Sequence, residues 1–136
     1  MSAPRPYPLR ALRDAASPQF VRYAIAGAAG TAVHYLVLIA LVQAASLSAV
    51  PASTAGAVAG ALVNYRLNHR YTFESDQAHG RALPRFALVA LAGIAVNAAV
   101  VAAMIAFVSP NYLLAQVAAT AVVLVSGFLV NRAWTF

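Results

Sequence analysis

From Tyr23 to Ala45, and again from Phe86 to Val108, the chain carries no formally charged side chain. About 20 apolar residues cross the hydrocarbon core of a bilayer as a helix, so each stretch is long enough to span. Tyr112 to Val130 forms a third such block. The shortest block, Val50 to Tyr65, is bounded by Arg66. It spans only if Asn64 and Arg66 snorkel toward headgroups or the bilayer thins locally. Hydrophobic residues make up 62% of the chain and charged residues 9%, against roughly 25% charged in a soluble domain. Such a chain cannot clothe a soluble surface. The expected fold is an all-α membrane protein with four transmembrane helices. The arginines ahead of the first block raise a cleaved signal peptide as the alternative there, but the block exceeds the roughly 7–15 residues of a signal h-region, and a retained span is expected.

The chain also repeats itself. Residues 22–73 and 85–136 align without a gap at an offset of 63 positions (85 − 22). Arg22-Tyr23-Ala24-Ile25 answers Arg85-Phe86-Ala87-Leu88, and Gly30-Thr31-Ala32-Val33-His34 answers Gly93-Ile94-Ala95-Val96-Asn97. Each copy closes on a similar tag, Asn68-His69-Arg70-Tyr71-Thr72-Phe73 and Asn131-Arg132-Ala133-Trp134-Thr135-Phe136. The organisation expected is an N-terminal tail over residues 1–21, two copies, and a polar linker over residues 74–84. The prolines Pro4, Pro6 and Pro8 place the tail at the interface or in disorder.

Charge sets the orientation. The nine basic residues are all arginine. Arg5, Arg10, Arg13 and Arg22 precede the first block, Arg66, Arg70, Arg81 and Arg85 flank the middle connection, and Arg132 follows the last block. The connections Ser46 to Ala49 and Ser109 to Asn111 hold none. By the positive-inside rule both termini are cytoplasmic. Two spans per copy send both copies into the bilayer in the same direction, as parallel-related repeats unlike the inverted repeats of many transporters. The absence of cysteine excludes a disulfide framework. Arginine without lysine, together with heavy alanine use, points to a high-GC bacterium and therefore to its cytoplasmic membrane.

Helices in lipid associate through close packing and polar contacts. Ala52, Gly56, Gly60 and Asn64 recur at every fourth position, as do Ala115, Ala119, Val123 and Gly127, with Ala26, Gly30, His34 and Val89, Gly93, Asn97 on the preceding blocks. These stripes are expected to be contact seams. His34 and Asn97 occupy matching positions, each 12 residues beyond its arginine (34 − 22, 97 − 85), so about 18 Å deeper and near the midplane. An ionisable group at that depth is a functional candidate, able to bond a cargo or take a proton. The plain alternative is a neutral His34 bonded to a neighbouring helix through Thr54, Gln116 or Thr120. No carboxylate or second histidine shares a block with His34, so no metal site is expected. Tyr65, Tyr71, Phe73, Trp134 and Phe136 are expected to form an aromatic belt at the cytoplasmic interface.

Phe20-Val21-Arg22-Tyr23 with Gly27 four positions on, followed by an Asn-basic-x-aromatic-Thr-Phe tag in each copy, resembles the GtrA-like family. The resemblance covers nearly everything after the tail. It implies a small membrane protein of cell-surface polysaccharide synthesis that moves a polyprenyl-phosphate-linked sugar between leaflets, often beside a glycosyltransferase. On that reading Arg22, Arg85, Arg66 and Arg132 would fork onto phosphate oxygens. Asn68 and Asn131 would add amide hydrogen bonds, and His69 and Arg70 make the first tag unlike the second. The alternative for every one of these arginines is topology and non-specific binding of anionic lipid.

Two other classes compete. A non-transporting subunit that anchors a glycosyltransferase would need the same spans but no path. A small cation exporter would want an intramembrane carboxylate, and no block holds one. No phosphate-cradling glycine loop lies outside a span, so neither an enzyme nor a cofactor is expected, and nothing points to nucleic acid. Four short helices scarcely enclose a path for a sugar, so a homodimer is expected.

Overall fold

A computed structural model describes residues 17–136; the arginines of the tail at Arg5, Arg10 and Arg13 and its three prolines lie outside the described residues. Four helices follow in order, α1 (Pro18–Gln43), α2 (Ala49–Leu67), α3 (His79–Phe107) and α4 (Tyr112–Val130). No strand occurs among the described residues. α2 and α4 each run on into a π-helical turn, Asn68–Thr72 and Asn131–Thr135. Among the described residues, three segments are long and apolar enough to cross a membrane: Pro18–Gln43, His79–Phe107 and Leu113–Thr135. α2 is helical throughout but is not one of the three. Its alanines, glycines, serine and threonine bring little hydrophobicity per residue, the price of the close packing described below.

Two boundaries differ from expectation. α1 starts ahead of Arg22, because Ser17 caps it by accepting from the Phe20 N–H at 3.2 Å and Pro18 fills the first turn, where its missing N–H is not needed. The connection after the first tag ends at Ala78 rather than Pro84. The Ala78 carbonyl accepts from the N–H groups of both Arg81 and Ala82, at 2.9 and 3.0 Å, and so begins α3. Pro84 sits inside the helix, and removes only the bond that the exposed Gly80 carbonyl would have accepted.

The described chain divides into two compact units, residues 17–75 and 76–136, each a helical hairpin with its tag. In the first, α1 packs on α2 with backbone against backbone. A Cβ placed on Gly30 would stand 2.6 Å from the Gly60 carbonyl oxygen, one on Gly60 would run into the Gly30 oxygen, and one on Gly56 would lie 2.5 Å from the His34 oxygen. Ala26 and Ala52 are buried on the same seam. Without a hydrophobic driving force between helices in lipid, this proximity is what dispersion requires. Ser46 turns the chain between them in the left-handed region at φ 53°, and the Leu47 N–H reaches back to the Leu41 oxygen.

The second hairpin packs with side chains. A Cβ on Gly93 would meet the Val123 Cγ1 at 3.3 Å, and Ala82, Phe86, Ala115, Ala119 and Phe128 are buried. Asn111 caps α4, accepting from the N–H groups of Leu113 and Leu114. Both hairpins turn large apolar side chains outward, Leu36 at 68% and Phe107 at 88% exposure among them. That surface suits hydrocarbon, not water.

Candidate functional site

The tags are the most constrained parts of each hairpin. At the first, the Phe73 N–H donates to the Asn68 oxygen five residues back, at 2.9 Å; at the second, Phe136 donates to Asn131 at 3.0 Å. The widened turn faces both tag polar residues inward. Asn68 and Thr72 are 0% and 3% exposed, Asn131 and Thr135 1% and 0%. The closing aromatics pack across, with Phe73 at 6.1 Å from the Tyr23 ring and Phe136 at 6.3 Å from that of Phe86. Such π turns within helices are uncommon and recur at functional positions.

One arginine fastens each turn. Arg22 donates from Nη1 to the Tyr71 oxygen at 3.4 Å and lies 3.6 Å from the Glu74 carboxylate. Arg85 donates from Nη1 to the Trp134 oxygen at 2.8 Å with its guanidinium 5.3 Å from the Trp134 ring centroid. Donor and acceptor are offset by 63 positions in both cases (85 − 22, 134 − 71). Gln19 adds a hydrogen bond to the Thr72 oxygen in the first hairpin.

The residues expected to meet a phosphate therefore divide. Arg66, Arg70 and Arg132 are exposed at the tag ends of their hairpins, with His69 half-buried against the Tyr65 ring. Arg22 and Arg85 stand beside them while holding the tag carbonyls. The amides of Asn68 and Asn131, expected to meet a headgroup, are instead turned into the hairpins, because the π turn rotates them onto the partner helix. Asn68 donates from Nδ2 to the Asn64 Oδ1 at 2.7 Å. The aromatic belt is likewise thinner than expected. Tyr71 and Trp134 are exposed, whereas Tyr65 is buried and Phe73 and Phe136 pack inward.

Deeper along the first hairpin, His34 and Ser53 make a hydrogen bond, Nε2 to Oγ at 3.3 Å. The partner is Ser53 and none of the three offered by the sequence, Thr54, Gln116 or Thr120, since Ser53 shares the seam face with Gly56. In the second hairpin the matching pair is joined as well: Gln116 donates from Nε2 to the Asn97 Oδ1 at 3.0 Å and to the Thr120 hydroxyl at 3.3 Å. Sequence reasoning placed His34 and Asn97 at one depth but did not pair them with Ser53 and Gln116. The repeat offset could have done so, because 53 and 116 also differ by 63 (116 − 53).

An open groove runs along the first hairpin between its helices, lined by Gly27, Gly30, Thr31 and His34 from α1 and by Ala57, Gly60, Ala61 and Asn64 from α2. The sequence places Gly30 and Gly60 on contact seams and Gly27 in the motif at the head of α1, without showing the groove. No cluster of three or more metal-ligating side chains occurs among the described residues.

Residues 22–136 match the family model described as GtrA/DPMS, transmembrane domain. The match covers both hairpins and both tags. No curated protein and no solved structure matches the chain.

Proposed function

The chain belongs to the GtrA/DPMS transmembrane family, which makes it a multi-pass membrane protein of glycan synthesis, and from that premise we propose that it carries a polyprenyl-phosphate-linked sugar across the bacterial cytoplasmic membrane. α2 completes a fourth span, both hairpins enter from the cytoplasmic side, and both termini remain there. On this reading the protein forms and breaks no covalent bond. It is a carrier, not an enzyme, and works as a homodimer.

A lipid-linked sugar joined through a phosphodiester presents one negative charge, a polar ring and a long apolar tail. Arg66, Arg70 and Arg132 are exposed beside Arg22 and Arg85 at the tag ends, where guanidinium groups can receive phosphate oxygens. His69 adds a further polar group there, and Asn68 and Asn131 act indirectly by setting the turns. The tail stays in lipid along the outward apolar faces. The observation that carries the reading is the His34–Ser53 pair, a polar contact midway along a hairpin whose charged side chains all lie at its tag end. Asn97 with Gln116 is its counterpart.

Purified protein in liposomes containing a labelled polyprenyl-phosphate sugar tests this. Exposure of the label in the opposite leaflet is expected to accelerate with protein present and to fall in His34→Ala. No acceleration, with stable co-purification of a glycosyltransferase, would favour an anchoring subunit. Cross-linking in lipid that yields only monomers while transport persists would remove the homodimer.

A further inference from the structure

The two hairpins share their tags and their mid-helix polar pairs, yet only the first adds Thr31 and Asn64 beside its pair and opens a groove between its helices. We propose that the sugar ring of the lipid-linked cargo is bound by the first hairpin alone, in the groove between α1 and α2, and that the seam of the second hairpin takes no sugar. The proposal rests on the transport reading above and names the residues that would hold the ring.

Three groups in the groove suit a polyol. The Thr31 hydroxyl donates to the Gly27 oxygen at 3.1 Å, which leaves its own oxygen to accept. Asn64 has its Oδ1 taken by Asn68, so its amide hydrogens are the donors it offers. His34 contributes the edge of an imidazole fixed at Nε2 by Ser53. Sugar hydroxyls both give and accept hydrogen bonds and can satisfy all three at once. Left facing hydrocarbon, the same groups would each cost free energy, since lipid offers them nothing. Gly30 and Gly60 keep the floor of the groove at backbone level.

At the matching positions of the second hairpin the space and most of the chemistry differ. Ile94 stands for Thr31, Val123 for Gly60, Leu124 for Ala61 and Gly127 for Asn64, while Thr120 stands for Ala57 and Asn97 for His34. Val123 reaches to within 3.3 Å of where a Gly93 Cβ would lie, and the Asn97 oxygen is already occupied by Gln116. Asn97 keeps its amide hydrogens there, but Ile94, Val123 and Leu124 stand where the first hairpin has Thr31, Gly60 and Ala61, and narrow the space a sugar ring would enter.

The test uses polyprenyl-phosphate glucose, galactose and mannose, each carrying a diazirine on the sugar, with the full chain in liposomes. Photoadducts are mapped by mass spectrometry, and flipping is followed separately. Adducts on residues 27–34 or 57–64, at least ten-fold above those on residues 90–97 and 120–127, are expected. Equal labelling of the two hairpins, labelling confined to residues 66–73, or none with any of the three sugars overturns the proposal. Two double variants exchange the groove chemistry, at Thr31, Ala61 and Ile94, which are exposed, and at Leu124, which is half-buried. Thr31→Ile with Ala61→Leu should cut both labelling and flipping at least ten-fold, whereas Ile94→Thr with Leu124→Ala should leave both at wild-type level. An unchanged first variant also overturns it. Flipping without groove adducts would sink this assignment and keep transport; groove adducts without flipping would do the opposite.

Discussion

Arg85 donates to the main-chain oxygen of Trp134 at 2.8 Å while its guanidinium stands 5.3 Å from the centroid of the same residue's ring. One side chain thus grips both the backbone and the indole of the second tag. Arg22 grips Tyr71 at 3.4 Å and has the exposed Glu74 instead of an aromatic face. The tag motif is in this sense a clasp, closed by an arginine at the start of the same hairpin.

Unequal grips predict unequal costs. Arg85→Ala should destabilise its hairpin by about 1–2 kcal/mol, from a charge-assisted hydrogen bond and a partly exposed cation–π contact. Arg22→Ala should cost less than about 1 kcal/mol, because its bond is longer and its ion pair is solvated. Unfolding of each variant in detergent, followed by circular dichroism, checks the order. A larger loss for Arg22→Ala would contradict the geometry.

The glycines should separate by what a methyl group would strike. Gly30→Ala and Gly60→Ala press on opposing backbone that cannot rotate away, and are expected to cost about 1–3 kcal/mol as overpacking. Gly27→Ala meets nothing within 4 Å and should be neutral or stabilising by up to about 1 kcal/mol through helix propensity. Gly93→Ala meets only a valine methyl, which can shift, so its effect should fall between these. Thermal unfolding of the four variants is the measurement.

Asn64 and Asn68 share a 2.7 Å hydrogen bond, and Asn68 is fully buried. Removing either partner strands the other, whereas removing both does not. A double-mutant cycle with Asn64→Ala and Asn68→Ala should therefore be less than additive by about 1 kcal/mol. Strict additivity would show that the pair does not act as a unit.

Topology can be read by chemistry because the chain lacks cysteine. Single cysteines at Leu47 and Pro110 should react with an impermeant maleimide added outside the cell. One at Gln77 should react only after the membrane is opened. Labelling of Leu47→Cys solely from the cytosol would overturn the orientation and the direction of transport with it.

Some of the site was legible in particular residues. The offset of 63 positions, applied to Arg22 and His34, points to Arg85 and Asn97; each arginine holds a carbonyl of its own tag, and His34 and Asn97 each meet a polar partner on the facing helix of their own hairpin. It did not show that Asn68 and Asn131 face inward. That depends on a change from α to π winding, which rotates a side chain without altering composition. The small-residue stripe at Ala52, Gly56 and Gly60 was readable as a seam, but Gly60 also lines the groove beside Thr31, which spacing alone could not show.

Chain chemistry alone decided that this protein is helical and apolar, because uncharged block length and residue periodicity are local properties that lipid enforces on any backbone. Tertiary structure decided which polar atoms meet: His34 with Ser53, Gln116 with Asn97, Arg85 with Trp134. Those pairings follow from how closely two helices approach and at what register, and at the first seam that was settled by Gly30 and Gly60 admitting backbone to backbone contact.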